Sequence, residues 1–188
     1  MNRRGALACL GGALLVPLLA PAARADEVPY VQTPQAVVDA MLELAGVRGT
    51  DFLIDLGSGD GRIVITAAKR YGARGLGIDY DPYLVEASTR NALAAGVAER
   101  ATFVKQDLFE VDLAPASVVT MYLLPAFNLK LRPRLLATLK PGTRVVSHDW
   151  DMGDWEPDAK IEVPAPDKPV GALKQSTVYL WVIPARVE

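Results

Sequence analysis

Apolar positions recur along this chain in three patterns. The first is an apolar run from Ala6 to Ala20, preceded by Arg3 and Arg4 and followed by Ala23-Arg24-Ala25. Basic flank, short apolar stretch and small residues form a secretory signal pattern, with cleavage expected before Asp26. Residues 1–25 are then the signal, and residues 26–188 the domain. Pro17 interrupts the run, which is short for a span of about 20 residues, so an uncleaved anchor over residues 5–21 is the lesser alternative. After cleavage the protein is expected to be exported, periplasmic or secreted. Membrane association is expected only if the segment stays. The Arg3-Arg4 pair also permits a twin-arginine export signal.

The second pattern has helical spacing. Val37, Val38, Met41, Leu42 and Ala45 repeat every three to four residues. Thr33-Pro34 supplies an N-cap and a first-turn proline, and Gly46 the stop. Further helices are predicted over 62–71, ending at Gly72, from Asp81-Pro82 to Gly96, and over 132–139. In the last of these Pro133 is tolerable only in the first turn.

The third pattern is a set of short apolar strands at 52–56, 75–78, 101–105, 118–123 and 144–147. Strands alternating with helices imply a parallel sheet covered on both faces. The tail breaks the alternation. Residues 160–163 and 177–183 are strand-like, and the Pro-rich segment between them carries no helix signal, so they are expected to form an antiparallel pair. The fold class is therefore α/β, a doubly wound, mostly parallel seven-stranded sheet with an antiparallel end.

Composition narrows the chemistry. Cys9 is the only cysteine and lies in the leader, and His148 is the only histidine. Thiol nucleophiles, histidine-based metal clusters and most hydrolase triads lose their key residues, and no metal is expected. Without the three arginines of residues 1–25, which hold no acid, 17 bases face 22 acids, a net charge of −5. Such a domain has no general attraction for phosphate backbones, so no nucleic-acid partner is expected.

The chemistry-bearing residues follow the strands. Asp55-Leu56-Gly57-Ser58-Gly59-Asp60-Gly61-Arg62 joins the first strand to a helix. Its glycines let a ligand approach the main chain, and the helix start offers free N–H groups. Arg62 stands where a dinucleotide fingerprint needs its third glycine, which disfavours a nicotinamide oxidoreductase. Asp79 ends the second strand, where a carboxylate can accept from both ribose hydroxyls, with Tyr80 beside the adenine. Asp107 and Leu108 follow the third strand.

The glycine turn and the order of elements from Thr33 to Pro184 strongly resemble the class I S-adenosylmethionine-dependent methyltransferases. A narrower resemblance rests on Val28-Pro29-Tyr30-Val31 before Thr33-Pro34, the Gly57–Arg62 turn, and Val145–Asp149 followed by Trp150. These look like small protein-lysine methyltransferases acting on the ATP synthase c-subunit and the adenine nucleotide carrier. The resemblance implies S-adenosylmethionine as cofactor, with Tyr30 and Thr33 closing over its methionine end and Asp107 accepting from the adenine amino group. It implies an amine acceptor, most readily a protein lysine. Tyr122-Leu123-Leu124-Pro125 departs from the Asn/Asp-Pro-Pro-Tyr motif of amino-directed DNA methyltransferases.

Tyr122, His148 and Asp149, with Asp151, are the candidates for positioning the acceptor; a structural, hydrogen-bonded His148 is equally open. Trp150 and Trp155 either wall an acceptor cleft or pack under the tail, the latter favoured. Freeing a lysine lone pair at pH 7 costs about 4.6 kcal/mol, which a desolvating pocket or a nearby carboxylate is expected to offset. Alternatives are a small-molecule methyltransferase, or a module that binds the cofactor or a nucleoside without turnover.

Overall fold

A computed structural model of the protein describes residues 30–171 and 173–185. The proposed leader and Val28-Pro29 lie outside the described residues. Seven strands form one sheet in the order β3-β2-β1-β4-β5-β7-β6. They are β1 (Phe52–Leu56), β2 (Arg74–Asp79), β3 (Ala101–Lys105), β4 (Val118–Met121), β5 (Arg144–His148), β6 (Ala159–Pro164) and β7 (Gln175–Val182). The first five are parallel; β7 runs antiparallel between β5 and β6.

The alternation of side chains along each strand splits the core in two. Leu53, Val118, Val146 and Val178 pack beneath α1 (Gln35–Leu44) and α2 (Arg62–Thr66), joined by Ala92 of α3 (Pro82–Ala94). Ile54, Leu56, Val119, Met121, Val145 and Trp181 face Leu131 and Leu135 of α4 (Pro125–Thr138) and the β3–β4 loop. All four residues of β4 are buried, as a central parallel strand requires.

Three local expectations change. Pro34, not Thr33, occupies the N-cap position of α1, and no side chain caps it. Thr33 is drawn instead into the site described below. The helix after the glycine turn keeps α-geometry only to Thr66 and continues as a π-helical turn from Ala67 to Tyr71. The last helix starts at Pro125, well before the expected residue 132, so β4 ends at Met121 and Pro133 is internal. Buried Asn128 anchors that earlier start, donating from Nδ2 to Ser147 Oγ and to the carbonyls of Trp150 and Asp151 at 3.1–3.3 Å. Asp81 caps α3 as expected, accepting from Tyr83 N at 2.8 Å.

Candidate active site

The carboxyl ends of β1 and β2 bring the glycine turn and Asp79 together. Gly57, Gly59 and Gly61 all have positive φ. At Gly61 a Cβ would fall 2.6 Å from the Phe103 ring and 2.8 Å from Ser88, so only glycine permits this close packing. Asp79 braces the turn: Oδ2 accepts from Gly59 N at 2.8 Å and Oδ1 from Asp81 N at 3.0 Å. It therefore does more than await a ligand, yet it remains partly exposed. Tyr80 is largely exposed, with Lys105 Nζ 5.7 Å from its ring centroid. Asp107 Oδ1 accepts from Phe109 N at 2.8 Å, and Leu108 packs on the α4-side core.

Asp55 is sealed under the turn. Thr120, its register partner on β4, donates to Oδ1 at 2.6 Å. Burial pushes the carboxyl up to about 7; the Thr120 hydroxyl opposes this, and the charges of Asp79 and Asp60 add to it. Ser58 Oγ is buried with no partner. Burial would raise Asp60 too, but hydrogen bonds and charge from Arg62, 2.5 Å away, hold it below the usual carboxylate range. An orphaned hydroxyl, an open carboxylate and glycines that keep the main chain bare fit a nucleoside-bearing ligand.

The N-terminal arm ties this half to the next. Tyr30 lies on Gly59 so closely that a Cβ there would be 2.3 Å from its ring. Arg62 Nη1 donates to the Thr33 carbonyl at 2.8 Å. Thr33 Oγ1 pairs with His148 Nδ1 at 3.2 Å, and His148 Nε2 with Ser176 Oγ at 2.8 Å. Tyr122 stacks on the imidazole, centroids 3.8 Å apart. Burial lowers His148 to about 4, although Asp149 pulls the other way; Lys168 lowers it further. A neutral ring with no solvent exposure and both nitrogens engaged is suited to bracing the elements around it.

Asp149, the next residue, lines a cleft. It has φ 63°, the only positive φ outside glycine among the described residues. Aspartate tolerates this left-handed geometry better than most side chains. Oδ1 accepts from Thr177 N at 3.0 Å. Oδ2 meets the Tyr122 hydroxyl at 3.4 Å and Lys168 Nζ at 2.7 Å. Tyr122 is pushed to about 12 by burial and by the Asp149 charge, so it stays a phenol. Trp155 packs on Trp181, centroids 5.7 Å apart, and its carbonyl accepts from the Trp181 indole; Trp150 stays partly exposed. Lys168, Ser176, Thr120 and Asn128 were not among the expected site residues. Each meets a partner 19 or more residues away that only the tertiary fold brings near: Thr120 with Asp55, Ser176 with His148, Asn128 with Ser147 and Lys168 with Asp149.

The family model for the ANTKMT methyltransferase domain matches residues 55–159. A protein-lysine N-methyltransferase of Saccharolobus islandicus is 45% identical over 157 residues, covering 83% of this chain and 94% of the relative. The Mus musculus lysine N-methyltransferase of the ATP synthase c-subunit is 37% identical over 156 residues, covering 79% of this chain but 62% of the mouse protein. A crystal structure described as an RNA methyltransferase from Salinibacter ruber, in complex with S-adenosyl-L-homocysteine, has TM-score 0.76 and 54% identity, covering 84% of this chain and 97% of that one. The chain belongs to the ANTKMT methyltransferase domain family, a class I fold that takes its methyl group from S-adenosylmethionine.

Proposed function

We propose that the chain methylates the ε-amine of protein lysines. The observation that carries this is Asp149 with an alkylammonium already on it, Lys168 Nζ at 2.7 Å. The pair stands at the carboxyl end of β5, beside Tyr122 at the end of β4. The names of the archaeal and mouse relatives support the same acceptor.

The donor supplies a methyl group activated on a sulfonium. Asp79 is suited to the ribose hydroxyls, each charge-assisted bond being worth about 1.5–3 kcal/mol. Gly57, Ser58 and Gly59 would bring bare main chain to the ligand, Tyr30 would cover it, and Tyr80, Asp107 and Leu108 would flank the adenine. Asp149 orients the acceptor. A carboxylate favours the ammonium, so Asp149 does not ease deprotonation; it stabilises the positive charge that returns to nitrogen as the new bond forms. The proton leaves to water through the open cleft. We also propose that residues 1–25 direct export, which would place the acceptors in the cell envelope.

The test is incubation with radiolabelled S-adenosylmethionine and a cell-envelope extract, followed by protease or ribonuclease. Label removed by protease and recovered as methyllysine is the expected result. The description of the Salinibacter relative favours a second reading, RNA as acceptor. Label sensitive only to ribonuclease would establish that reading and sink the lysine one.

A further inference from the structure

The cleft beside Asp149 already contains a lysine of the chain itself. About 390 Å³ in volume, it is lined by Asp149, Glu162, Lys168, Gln175 and Thr177, among others. The Lys168 side chain is 12% exposed. Its Nζ donates to the Gln175 carbonyl at 2.9 Å and pairs with Asp149 Oδ2. The same oxygen faces the Tyr122 hydroxyl, and β4 lies next to β1, which leads into the glycine turn. A lysine amine is thus held at the group assigned to orient the acceptor.

The backbone does not need this pairing to hold its path. Ala165 N donates to the Lys174 carbonyl at 2.9 Å and Lys168 N to the Ala165 carbonyl at 3.0 Å. Lys174 Nζ donates to the Lys168 carbonyl at 2.8 Å. Asp149, for its part, is fixed by Thr177, whose N–H donates to Oδ1 and whose carbonyl accepts from Asp149 N. The ammonium–carboxylate contact is an addition to a segment already tied down.

We propose that Lys168 is a self-methylation site, the enzyme's own acceptor in cis; this rests on the reading of Asp149 as the acceptor's partner. Lys168 Nζ sheds a proton to water, and its lone pair forms the new N–C bond as the methyl–sulfur bond of the donor breaks. The sulfur keeps that electron pair, S-adenosylhomocysteine leaves neutral, and the positive charge passes to the methylated nitrogen. Methylation keeps the charge, so the ion pair with Asp149 survives. Each methyl also removes one N–H donor. A trimethylated Lys168 can no longer donate to Gln175, which would loosen the side chain and open the cleft to other acceptors.

Two measurements test this on the full chain. In the cofactor-free protein, an amine-reactive reagent should label Lys168 more slowly than exposed Lys140, and Asp149→Asn should remove the protection. Equal labelling of the two lysines would refute the pairing. With S-adenosylmethionine alone, intact mass should rise in steps of about 14 Da that map to Lys168, at a rate per enzyme independent of enzyme concentration. Lys168→Arg should abolish the steps, and Asp149→Asn should slow them by about tenfold or more. Methylation that is second order in enzyme would overturn the cis geometry. Unmodified Lys168 alongside labelled extract proteins would overturn self-methylation and leave the lysine function standing. Label in neither would remove both.

Discussion

Asp55→Asn exchanges a buried carboxyl for an amide of the same shape, and Thr120 can still donate to its oxygen. In the unfolded chain the aspartate titrates near 3.8, while burial in the fold pushes it up to about 7. Below the lower value both states hold the proton, and the side chain costs nothing. Between the two values only the folded state keeps it, so stability falls as pH rises. Above the upper value the folded carboxyl has ionised too, and the cost is complete. That interval corresponds to about 4 kcal/mol, undiminished by solvent because Asp55 is buried. The amide does not titrate and lacks this slope. Urea denaturation of both proteins across the range from about pH 4 to pH 9 isolates Asp55, since every other titrating group is common to the pair. The variant is expected to gain on the parent by about 4 kcal/mol across the window, with no further gain above it. A difference that stays flat throughout would refute the reasoning. Calorimetry should show the stabilised variant binding S-adenosylmethionine more weakly, as expected where a destabilising residue is kept for the site.

Asp79→Ala should weaken donor binding by about a hundredfold, since it removes both ribose acceptors and the Gly59 brace; calorimetry with S-adenosylhomocysteine reads this, and unchanged affinity would displace Asp79 from the site. Gly61→Ala should lose about 3 kcal/mol by denaturant titration, combining left-handed strain with overpacking against Phe103 and Ser88; a loss under about 1 kcal/mol would mean the turn can shift. Protein purified from the cell envelope should have an intact mass beginning at Asp26; retention of residues 1–25 would support the anchor instead.

The parallel half of the fold could be read directly, because each strand is a short apolar run followed by a turn signal. Leu53 and Ile54 declare their faces by adjacency alone. The start of α4 was hidden: Pro125, Asn128 and Pro133 deny it a clear apolar stripe, and the Asn128 bonds that favour it are long-range. Thr33 looked like a cap because a threonine before a proline usually is one. Its hydroxyl instead goes to His148, 115 residues away, a tertiary bond that no local pattern encodes. The cofactor half was legible for the opposite reason, since Asp55, the glycines and Asp79 lie within one βαβ unit. Lys168 sits in a segment without periodicity, and its partner is reached only once β7 is in place.

That strand has a consequence for how the protein is made. Among the described strands β7 is the last to be synthesised, yet it lies inside the sheet and contributes Ser176, Thr177 and Trp181 to the site and core. A nascent chain that has emerged only as far as β6 has an open edge on β5, a histidine lacking one partner and an unpinned Asp149. The donor-binding half can form as it leaves the ribosome, but the acceptor half cannot close until β7 has emerged. A prematurely terminated product would keep the motif that holds the methyl donor and lack the surface that receives the methyl group.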